Sequence, residues 1–276
     1  MKKYWIMAML ALALVFTGCE DGSLTETNAN ETATADATAE AIEKLADTSS
    51  ADLVIAATPE MNRHGLMDAL IPSLEKRSGL KLAFREVNAE DFITLGKNRE
   101  ADVFLTEDFT LADAFLDEHI SESSSPFYEN DVVIAGSEEL GYSFEEIRDA
   151  LAKSGNRLLV PDAGYLKRMA EKCNLDAKTP VALETVEENT KDILSRVEKG
   201  TFVLTDRASF LKDGASTLLV LDDARFMNYG LAMVLPSDGA DAERMKKRDG
   251  ILTLLSGKET ENVLRSLGDG VYRVLP

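Results

Sequence analysis

The 276 residues of this chain would form one large domain or two of ordinary size. A hydrophobic fraction of 45% and a charged fraction of 29% are typical of soluble globular proteins rather than disordered or membrane-embedded ones. The formal net charge of −19 argues against nucleic acid as a main partner, because binding to phosphates needs a basic surface. This charge does not exclude a small anion, since its binding depends on local hydrogen-bond donors.

The N-terminus has the pattern of an export signal. Lys2 and Lys3 precede an apolar run over residues 4–16, which is short for a transmembrane helix. The run ends in Thr17-Gly18-Cys19, and small residues before a cysteine resemble the processing site of a bacterial lipoprotein. We therefore predict a lipoprotein signal peptide over residues 1–19, lipidation of Cys19, and a membrane-anchored protein facing the periplasm or the cell exterior. The alternative is an ordinary signal peptide with an incidental cysteine.

Residues 20–50 predict a disordered acidic tether. They carry eight acidic residues and one base, Lys44, with almost no large apolar side chains. Such a segment cannot bury enough apolar surface to offset the entropy lost on ordering. The only other cysteine, Cys173, lies in a predicted helix over residues 165–173, where we expect a small buried side chain rather than a reactive thiol.

From residue 51 onward, strand and helix patterns alternate. Leu66, Leu70 and Leu74 are spaced by four and predict a helix that Pro72 either kinks or begins. The other predictions in this half are strands over residues 52–57, 80–87, 101–106 and 131–135, helices over 91–95 and 110–117, and a loop over 121–126.

The second half repeats the alternation. Ser143 with Glu146 matches a capping box, and Thr185 with Glu188 predicts another capped helix that ends at Gly200. Strands are predicted over residues 157–160, 202–205, 218–221 and 229–235, and a mostly helical region follows to the C-terminus. The alternation indicates an α/β fold with a largely parallel sheet.

Common catalytic motifs are missing from the sequence. It has two histidines, His64 and His119, and no Gly-x-Ser-x-Gly, His-Glu-x-x-His or Cys-x-x-Cys pattern. Glu107-Asp108 follows a predicted strand, where it supplies paired carboxylates or forms a solvated acidic turn. We therefore expect a protein that is not an enzyme and holds no cofactor or metal.

Several phrases of the folded region occur in an order that characterises one family. Gly65-Leu66 opens a helix that contains Asp68-Ala69-Leu70-Ile71-Pro72. The later phrases are Leu95-Gly96-Lys97-Asn98 with Ala101-Asp102-Val103, Asn130-Asp131-Val132-Val133-Ile134, Leu204-Thr205-Asp206-Arg207 and Asn228-Tyr229-Gly230. Over nearly all of residues 52–276, the chain thus resembles the solute-binding lipoproteins of ABC uptake systems, specifically the tungstate-binding branch of the periplasmic-binding-protein family.

The resemblance implies a two-lobed periplasmic-binding-protein type II-like α/β fold. Two crossing hinge strands are expected near residues 132–136 and 229–235, with the ligand in the cleft between the lobes. The first lobe would comprise residues 51–133 and 232–276, and the second lobe residues 134–231. The expected partners are a small solute such as an anion and an ABC permease, with no nucleic acid, and the protein is expected to be a monomer.

The phrases that bind the oxyanion in this family are altered. The first turn, Thr58-Pro59-Glu60-Met61, keeps one hydroxyl of a run of Thr and Ser and adds a carboxylate. Asn88-Ala89-Glu90 replaces a Gly-Thr-Gly phrase, and Pro161-Asp162-Ala163-Gly164-Tyr165 lacks the arginine that the family places there. We predict an altered ligand, because carboxylates that face a divalent oxyanion repel it.

The candidate ligand-binding residues follow from the same resemblance. Arg63 contacts the ligand or is a solvated loop residue, and His64 is a ligand contact or a hydrogen-bonded loop histidine. Asp206 and Arg207 contact the ligand or pair with each other to brace the cleft. The full set is Thr58, Asn62, Arg63, His64, Asn88, Thr205, Asp206 and Arg207, with Glu90 and Glu107 nearby.

The leading interpretation is an extracytoplasmic solute-binding protein of an ABC uptake system with an altered ligand. The alternative is a non-transport sensor or interaction lipoprotein that kept the fold and lost the oxyanion site. A third interpretation is an exported enzyme that uses Glu107, Asp108 or Asp206.

Overall fold

The computed structural model describes residues 50–153, 155–162, 164–172, 182–187, 190–214, 217–237 and 241–275. The predicted signal peptide, the predicted tether up to residue 49, and both Cys19 and Cys173 lie outside these ranges. Within the ranges, no helix is both long and apolar enough to cross a membrane.

Strands and helices alternate along most of the described chain. In order, the elements are β1 (Leu53–Ala57), α1 (Leu66–Ser78), β2 (Leu82–Glu86), α2 (Ala89–Asn98), β3 (Val103–Thr106), α3 (Phe109–Asp117), β4 (Ser124–Glu129), β5 (Val132–Gly136), α4 (Phe144–Leu151), β6 (Arg157–Pro161), α5 (Tyr165–Lys172), β7 (Ala182–Val186), α6 (Thr190–Leu194), β8 (Thr201–Asp206), α7 (Arg207–Asp213), β9 (Leu218–Leu221), β10 (Tyr229–Val234), α8 (Ala242–Leu255) and α9 (Lys258–Ser266). Short 3₁₀ helices lie at Pro59–Asn62 and Ala224–Phe226.

The strands form two five-stranded sheets, one in each lobe. The first sheet has the order β2-β1-β3-β10-β4, and the second has the order β7-β6-β8-β5-β9. Four of the five strands in each sheet run in the same direction, and one strand makes each sheet mixed: β10 runs antiparallel to β3 and β4, and β5 runs antiparallel to β8 and β9. The reason is that β5 and β10 are the strands at which the chain enters one lobe from the other. The lobe boundaries at residues 133/134 and 231/232 remain a prediction.

Each sheet is buried on both faces, which explains the continuous apolar runs of its central strands. In β1, Leu53, Ile55 and Ala57 pack into one core cluster, and Val54 and Ala56 pack into the cluster on the opposite face. The alternation of successive side chains across a strand produces this division. Strand β8 does the same in the second lobe.

The capping prediction at Ser143 is confirmed. Its hydroxyl accepts the Glu146 N–H, and the Glu146 carboxylate accepts the Ser143 N–H, so both halves of the capping box are present at the start of α4. Pro72 lies inside α1 and neither begins nor ends it, because the helix runs unbroken from Leu66 to Ser78.

Two local predictions are wrong. Much of the predicted loop over residues 121–126 belongs to β4, an edge strand, where Pro126 is tolerated because an edge strand leaves some N–H groups unpaired. Thr185 lies in β7, which pairs in parallel with β6, and so does not cap a helix. Helix α6 spans Thr190–Leu194 and ends before Gly200, where the predicted helix was expected to end. Pairing with neighbouring strands outweighed the local signal in both places.

Candidate functional site

The candidate site lies where the carboxyl ends of strands from both sheets bring polar side chains together. Thr58 follows β1, Glu107 and Asp108 follow β3, and Asp206 ends β8. Ligands of open α/β sheets bind at such strand ends. Side chains from the two lobes contact one another directly here, which defines the cleft.

The central contact of the cleft joins Arg63 in the first lobe to Asp206 in the second. Arg63 lies between the first 3₁₀ helix and α1, and its Nη1 donates to Asp206 Oδ2 at 2.7 Å. The Asp206 side chain is 1% exposed and that of Arg63 is 24% exposed. Burial raises the pKa of Asp206, but Arg63 and the Ser209 N–H outweigh it, so the pKa lies below its usual value. Asp206 is therefore an ionised carboxylate in a buried ion pair.

Tyr165, the first residue of α5, forms hydrogen bonds with both members of this ion pair. Its hydroxyl donates to Asp206 Oδ2 at 3.0 Å and accepts from Arg63 Nη1 at 3.4 Å. The Arg63 guanidinium carbon also lies 5.7 Å from the centre of the Tyr165 ring, within the range of a cation–π contact. Burial, with Asp206 nearby, raises the pKa of Tyr165 well above 10.0, so the hydroxyl keeps its proton.

A second buried carboxyl group, that of Glu107, lies beside this ion pair. Tyr128 donates to its Oε1 at 2.6 Å, and the Nδ2 of Asn130 donates to both oxygens at 3.0 and 3.1 Å. Burial, followed by the charge of Asp206, raises the pKa of Glu107 to about 8, against the lowering effect of the two donors. At neutral pH, Glu107 is therefore mostly protonated.

Two further contacts join the lobes around the centre of the cleft. His64 Nε2 lies 2.9 Å from Ser209 Oγ, and burial lowers the pKa of His64, so the ring is neutral near pH 7. Asp108, which caps α3, forms an ion pair with Arg168 of α5, whose Nε lies 3.2 Å from Asp108 Oδ1. The paired charges of Asp108 and Arg168 balance each other.

The other predicted site residues lie in local hydrogen bonds or outside the central contacts. Thr58 Oγ1 donates to Thr106 Oγ1 at 3.2 Å, and Asn62 Oδ1 accepts the Met67 N–H at 3.2 Å. Asn88 caps the exposed start of α2. Thr205 is fully buried in β8, and its hydroxyl makes no hydrogen bond. A ligand role for these residues remains a prediction.

Arg207 lies in an ion cluster at the two crossings between the lobes. It pairs with Asp131, which precedes β5, at 3.3 Å, and with Asp222, which follows β9. Arg273 pairs with the same two carboxylates at 2.5 and 3.1 Å. Asp206 and Arg207 thus have different partners, and Arg207 braces the crossings.

Sequence reasoning missed Tyr128, Asn130, Tyr165, Arg168 and Ser209 as cleft residues. Asn130 stands in a quoted phrase, and Tyr165 follows the altered Pro161-Asp162 phrase, but neither has a local pattern that indicates its contacts. Ser209 had a weak signal, since it lies three residues after Asp206 and donates both N–H and hydroxyl to it. Within the described ranges, no group of three or more His, Cys, Asp or Glu side chains is placed to hold a metal ion.

No protein-family model and no curated protein sequence matches this chain. Among solved structures, it is similar to a tungstate-binding protein from Desulfovibrio alaskensis G20, with 19% identity over 79% of this chain and 93% of that chain and a TM-score of 0.63. It is similar to the tungstate ABC transporter structure from Geobacter sulfurreducens, with 17% identity over 78% and 97% of the two chains and a TM-score of 0.60. It is also similar to the periplasmic molybdate-binding protein of Azotobacter vinelandii, with 12% identity over 81% of this chain and 99% of that chain and a TM-score of 0.52.

These likenesses identify the class to which the fold belongs. The chain has the two-lobed α/β fold of the tungstate-type periplasmic solute-binding proteins, as its sequence phrases implied. At this level of identity, the likeness concerns the fold, and the ligand has to be argued from the cleft itself.

Proposed function

We propose that this protein is the extracytoplasmic solute-binding component of an ABC uptake system and that its solute differs from tungstate and molybdate. The observation that carries this proposal is the Arg63–Asp206 contact, in which the two lobes present complementary polar groups to one cleft. Such a cleft can close on a solute and deliver it to a permease by hinge motion. The fold supports this proposal, and lipid anchoring through Cys19 is part of it.

The charges of the cleft argue against a divalent oxyanion. The guanidinium of Arg63 is already paired with the carboxylate of Asp206. An oxyanion that paired with Arg63 in place of Asp206 would leave the Asp206 carboxylate buried without its counter-charge. It would also raise the negative charge around that carboxylate. Breaking one side of a buried ion pair costs about 3–5 kcal/mol. A dianion would have to overcome that cost before any net affinity appeared.

Calorimetric titration of the full chain, purified in detergent, with tungstate and molybdate tests the ligand part of this proposal. We expect no saturable binding at micromolar oxyanion. The altered phrases at residues 58–61, 88–90 and 161–165 remove three or more hydrogen bonds to the oxyanion. Each such bond is worth about 1.5–3 kcal/mol, so their loss weakens binding at least about a thousandfold. A sub-micromolar dissociation constant that Arg63→Ala abolishes would show that the cleft still binds the oxyanion.

A thermal-melt screen of the same preparation with amino acids, amines, oxyanions and metal ions tests solute binding as such. A ligand that binds only the folded state raises the free energy of unfolding by about 2.7 kcal/mol at a hundredfold excess over its dissociation constant. A solute that produces such a rise and changes the radius of gyration in X-ray scattering would support binding by hinge motion of the lobes. Failure of every class to raise the melting temperature would contradict the proposal.

One observation favours the alternative, a sensor or interaction lipoprotein that does not transport. Several contacts made entirely by protein side chains already join the lobes, among them Arg63–Asp206, Arg168–Asp108 and His64–Ser209. A protein whose own side chains already join across the cleft could act through its closed surface. An adjacent pair of permease and ATPase genes would favour transport, and a neighbourhood of signalling genes would favour the alternative.

A further inference from the structure

We propose that Asp206, Tyr165 and Ser209 form a receptor for the cationic group of the solute, a guanidinium or an ammonium, and that Arg63 is the group the solute displaces. This inference rests on the proposed function and names the class of its ligand. All three receptor residues belong to the second lobe, whereas Arg63 reaches them from the first lobe.

Two of the receptor residues, Asp206 and Tyr165, contact the Arg63 guanidinium as they would contact a bound cation, and Ser209 holds the Asp206 carboxylate in place. Asp206 Oδ2 accepts from Arg63 at 2.7 Å, from the Ser209 hydroxyl at 2.8 Å and from the Tyr165 hydroxyl at 3.0 Å. Asp206 Oδ1 is held by the Ser209 N–H at 2.8 Å and by Asn130 Nδ2 at 3.2 Å. The carboxylate is therefore fixed by neutral donors, and the positive charge that contacts it comes from Arg63.

The unequal burial of the two partners decides which of them a solute replaces. The Asp206 side chain is 1% exposed, whereas the Arg63 side chain is 24% exposed on a segment between a 3₁₀ helix and α1. If an anion drew Arg63 away, a buried carboxylate would remain without its counter-charge, which is strongly unfavourable. If a cation takes the place of Arg63, Asp206 stays paired and Arg63 can turn toward solvent.

The Tyr165 ring adds a second feature that suits a cation. The guanidinium carbon of Arg63 lies 5.7 Å from the ring centre, and the face of a tyrosine ring attracts guanidinium and ammonium groups. A zwitterionic solute would gain further, because its carboxylate could pair with Arg63 after displacing it from Asp206.

Chemical rescue of Arg63→Ala with guanidinium chloride tests the receptor. The full chain in detergent is melted in low millimolar guanidinium at constant ionic strength, far below denaturing concentrations. The matched control is Arg225→Ala, which removes an exposed guanidinium paired with Asp223 and Glu145. We expect a saturable rise in the melting temperature of Arg63→Ala, with no rise for Arg225→Ala or the wild type.

The same titration in double variants locates the bound guanidinium. Adding Tyr165→Phe to Arg63→Ala should weaken the apparent affinity about tenfold, because one hydrogen bond to the receptor is lost. Adding Asp206→Asn should abolish the rise. The receptor would be overturned if the melting temperature still rose with guanidinium after Asp206→Asn was added to Arg63→Ala. It would also be overturned if Arg63→Ala and Arg225→Ala showed rises of the same size.

Folding of the variants does not limit the test. If Arg63→Ala does not fold, Arg63→Gln keeps most of the side-chain length without the charge and is titrated in its place. Folding of either variant only in the presence of guanidinium supports the receptor. Failure of both to fold at every concentration overturns it, since Arg63 would then be required by the structure itself.

Failure of this inference can be distinguished from failure of the proposed function. A solute that binds the Tyr165→Phe and Asp206→Asn variants as tightly as it binds the wild type supports the proposed function and contradicts the cation receptor. Rescue by guanidinium, in a protein that no solute in the screen stabilises, supports the receptor and contradicts the proposed function.

Discussion

Glu107 and Asp206 belong to different lobes and share one hydrogen-bond donor, the Nδ2 of Asn130, at 3.0 Å and 3.2 Å. Both carboxyl groups are almost fully buried. Two buried acids this close cannot both ionise at low cost, so one must hold its proton at neutral pH. Arg63 decides which, because it pairs with Asp206 and leaves Glu107 protonated.

The first prediction concerns the pH dependence of stability. The pKa of Glu107 rises from 4.5 to about 8 on folding, so between these values the folded protein holds a proton that the unfolded chain releases. The free energy of unfolding should therefore fall as the pH rises from 4.5 to 8, and then level off. The total fall is on the order of 5 kcal/mol, since the two pKa values differ by about 3.5 and each pKa unit is worth about 1.4 kcal/mol.

Denaturant unfolding of the wild type and Glu107→Gln across this pH range measures the effect. The uncharged variant should lack the fall. The lowered pKa of His64 makes stability rise with pH near 6.5, but this contribution is common to both proteins and cancels in their difference. Parallel pH profiles would show that Glu107 ionises normally in the folded protein.

The second prediction concerns the packing of Tyr128 against β10. A Cβ at Gly230 would lie 2.1 Å from Tyr128 Cε1, so Gly230→Ala must push the ring that donates to Glu107. We expect a loss of about 1–3 kcal/mol in the free energy of unfolding, the usual cost of overpacking. Gly250→Ala is the matched control, since nothing lies within 4 Å of its Cβ in α8.

The control should be neutral or should stabilise the protein by up to about 1 kcal/mol, because alanine favours a helix over glycine. Chemical denaturation of both variants measures the difference. Equal stability of the two would mean that the Tyr128 ring moves aside without cost.

The third prediction concerns the ion cluster at the crossings. Arg207→Ala removes a nearly buried guanidinium from Asp131, whose side chain is 3% exposed and whose Oδ1 has no hydrogen bond. We expect a loss of about 2–4 kcal/mol, reduced from the full cost of an unpaired buried charge because Arg273 stays in place. The measurement is again denaturant unfolding.

Arg225→Ala is the control for this variant, because its pairs with Asp223 and Glu145 lie at the surface and exposed pairs contribute little. It should cost much less than Arg207→Ala. Similar losses for the two variants would indicate that the cluster at the crossings adds no more than a surface ion pair.

The fourth prediction concerns export. If Cys19 is the lipidated residue, Cys19→Ser should accumulate as an uncleaved or soluble precursor, whereas Cys173→Ser should be processed normally. Fractionation of expressing cells into membrane and soluble proteins, with mass measurement of the N-terminus, checks this. Normal processing and membrane recovery of Cys19→Ser would contradict lipidation and favour an ordinary signal peptide.

The sequence by itself determined the order of most elements in the described chain. The runs that became β1, β3, β5, β6, β8 and β10 are apolar because both faces of each sheet are buried, and this pattern is visible over a few residues. The capping box of Ser143 and Glu146 is likewise local. The sequence phrases from Gly65 to Gly230 established the family resemblance that predicted the two-lobed fold. The predictions of a loop at Pro126 and of a helix cap at Thr185 were wrong, because pairing with adjacent strands determines the structure at both residues.

Only the tertiary structure decided which residues form the cleft. Arg63 and Asp206 are 143 residues apart, and Arg63 and Tyr165 are 102 apart. Nothing in the local sequence of Arg63 distinguishes a solvated loop arginine from one that crosses to the other lobe. Helices and strands depend on short-range periodicity and hydrogen bonding, which a sequence displays directly. Contacts between lobes depend instead on how the two sheets are placed relative to each other, and no short stretch of sequence displays that placement.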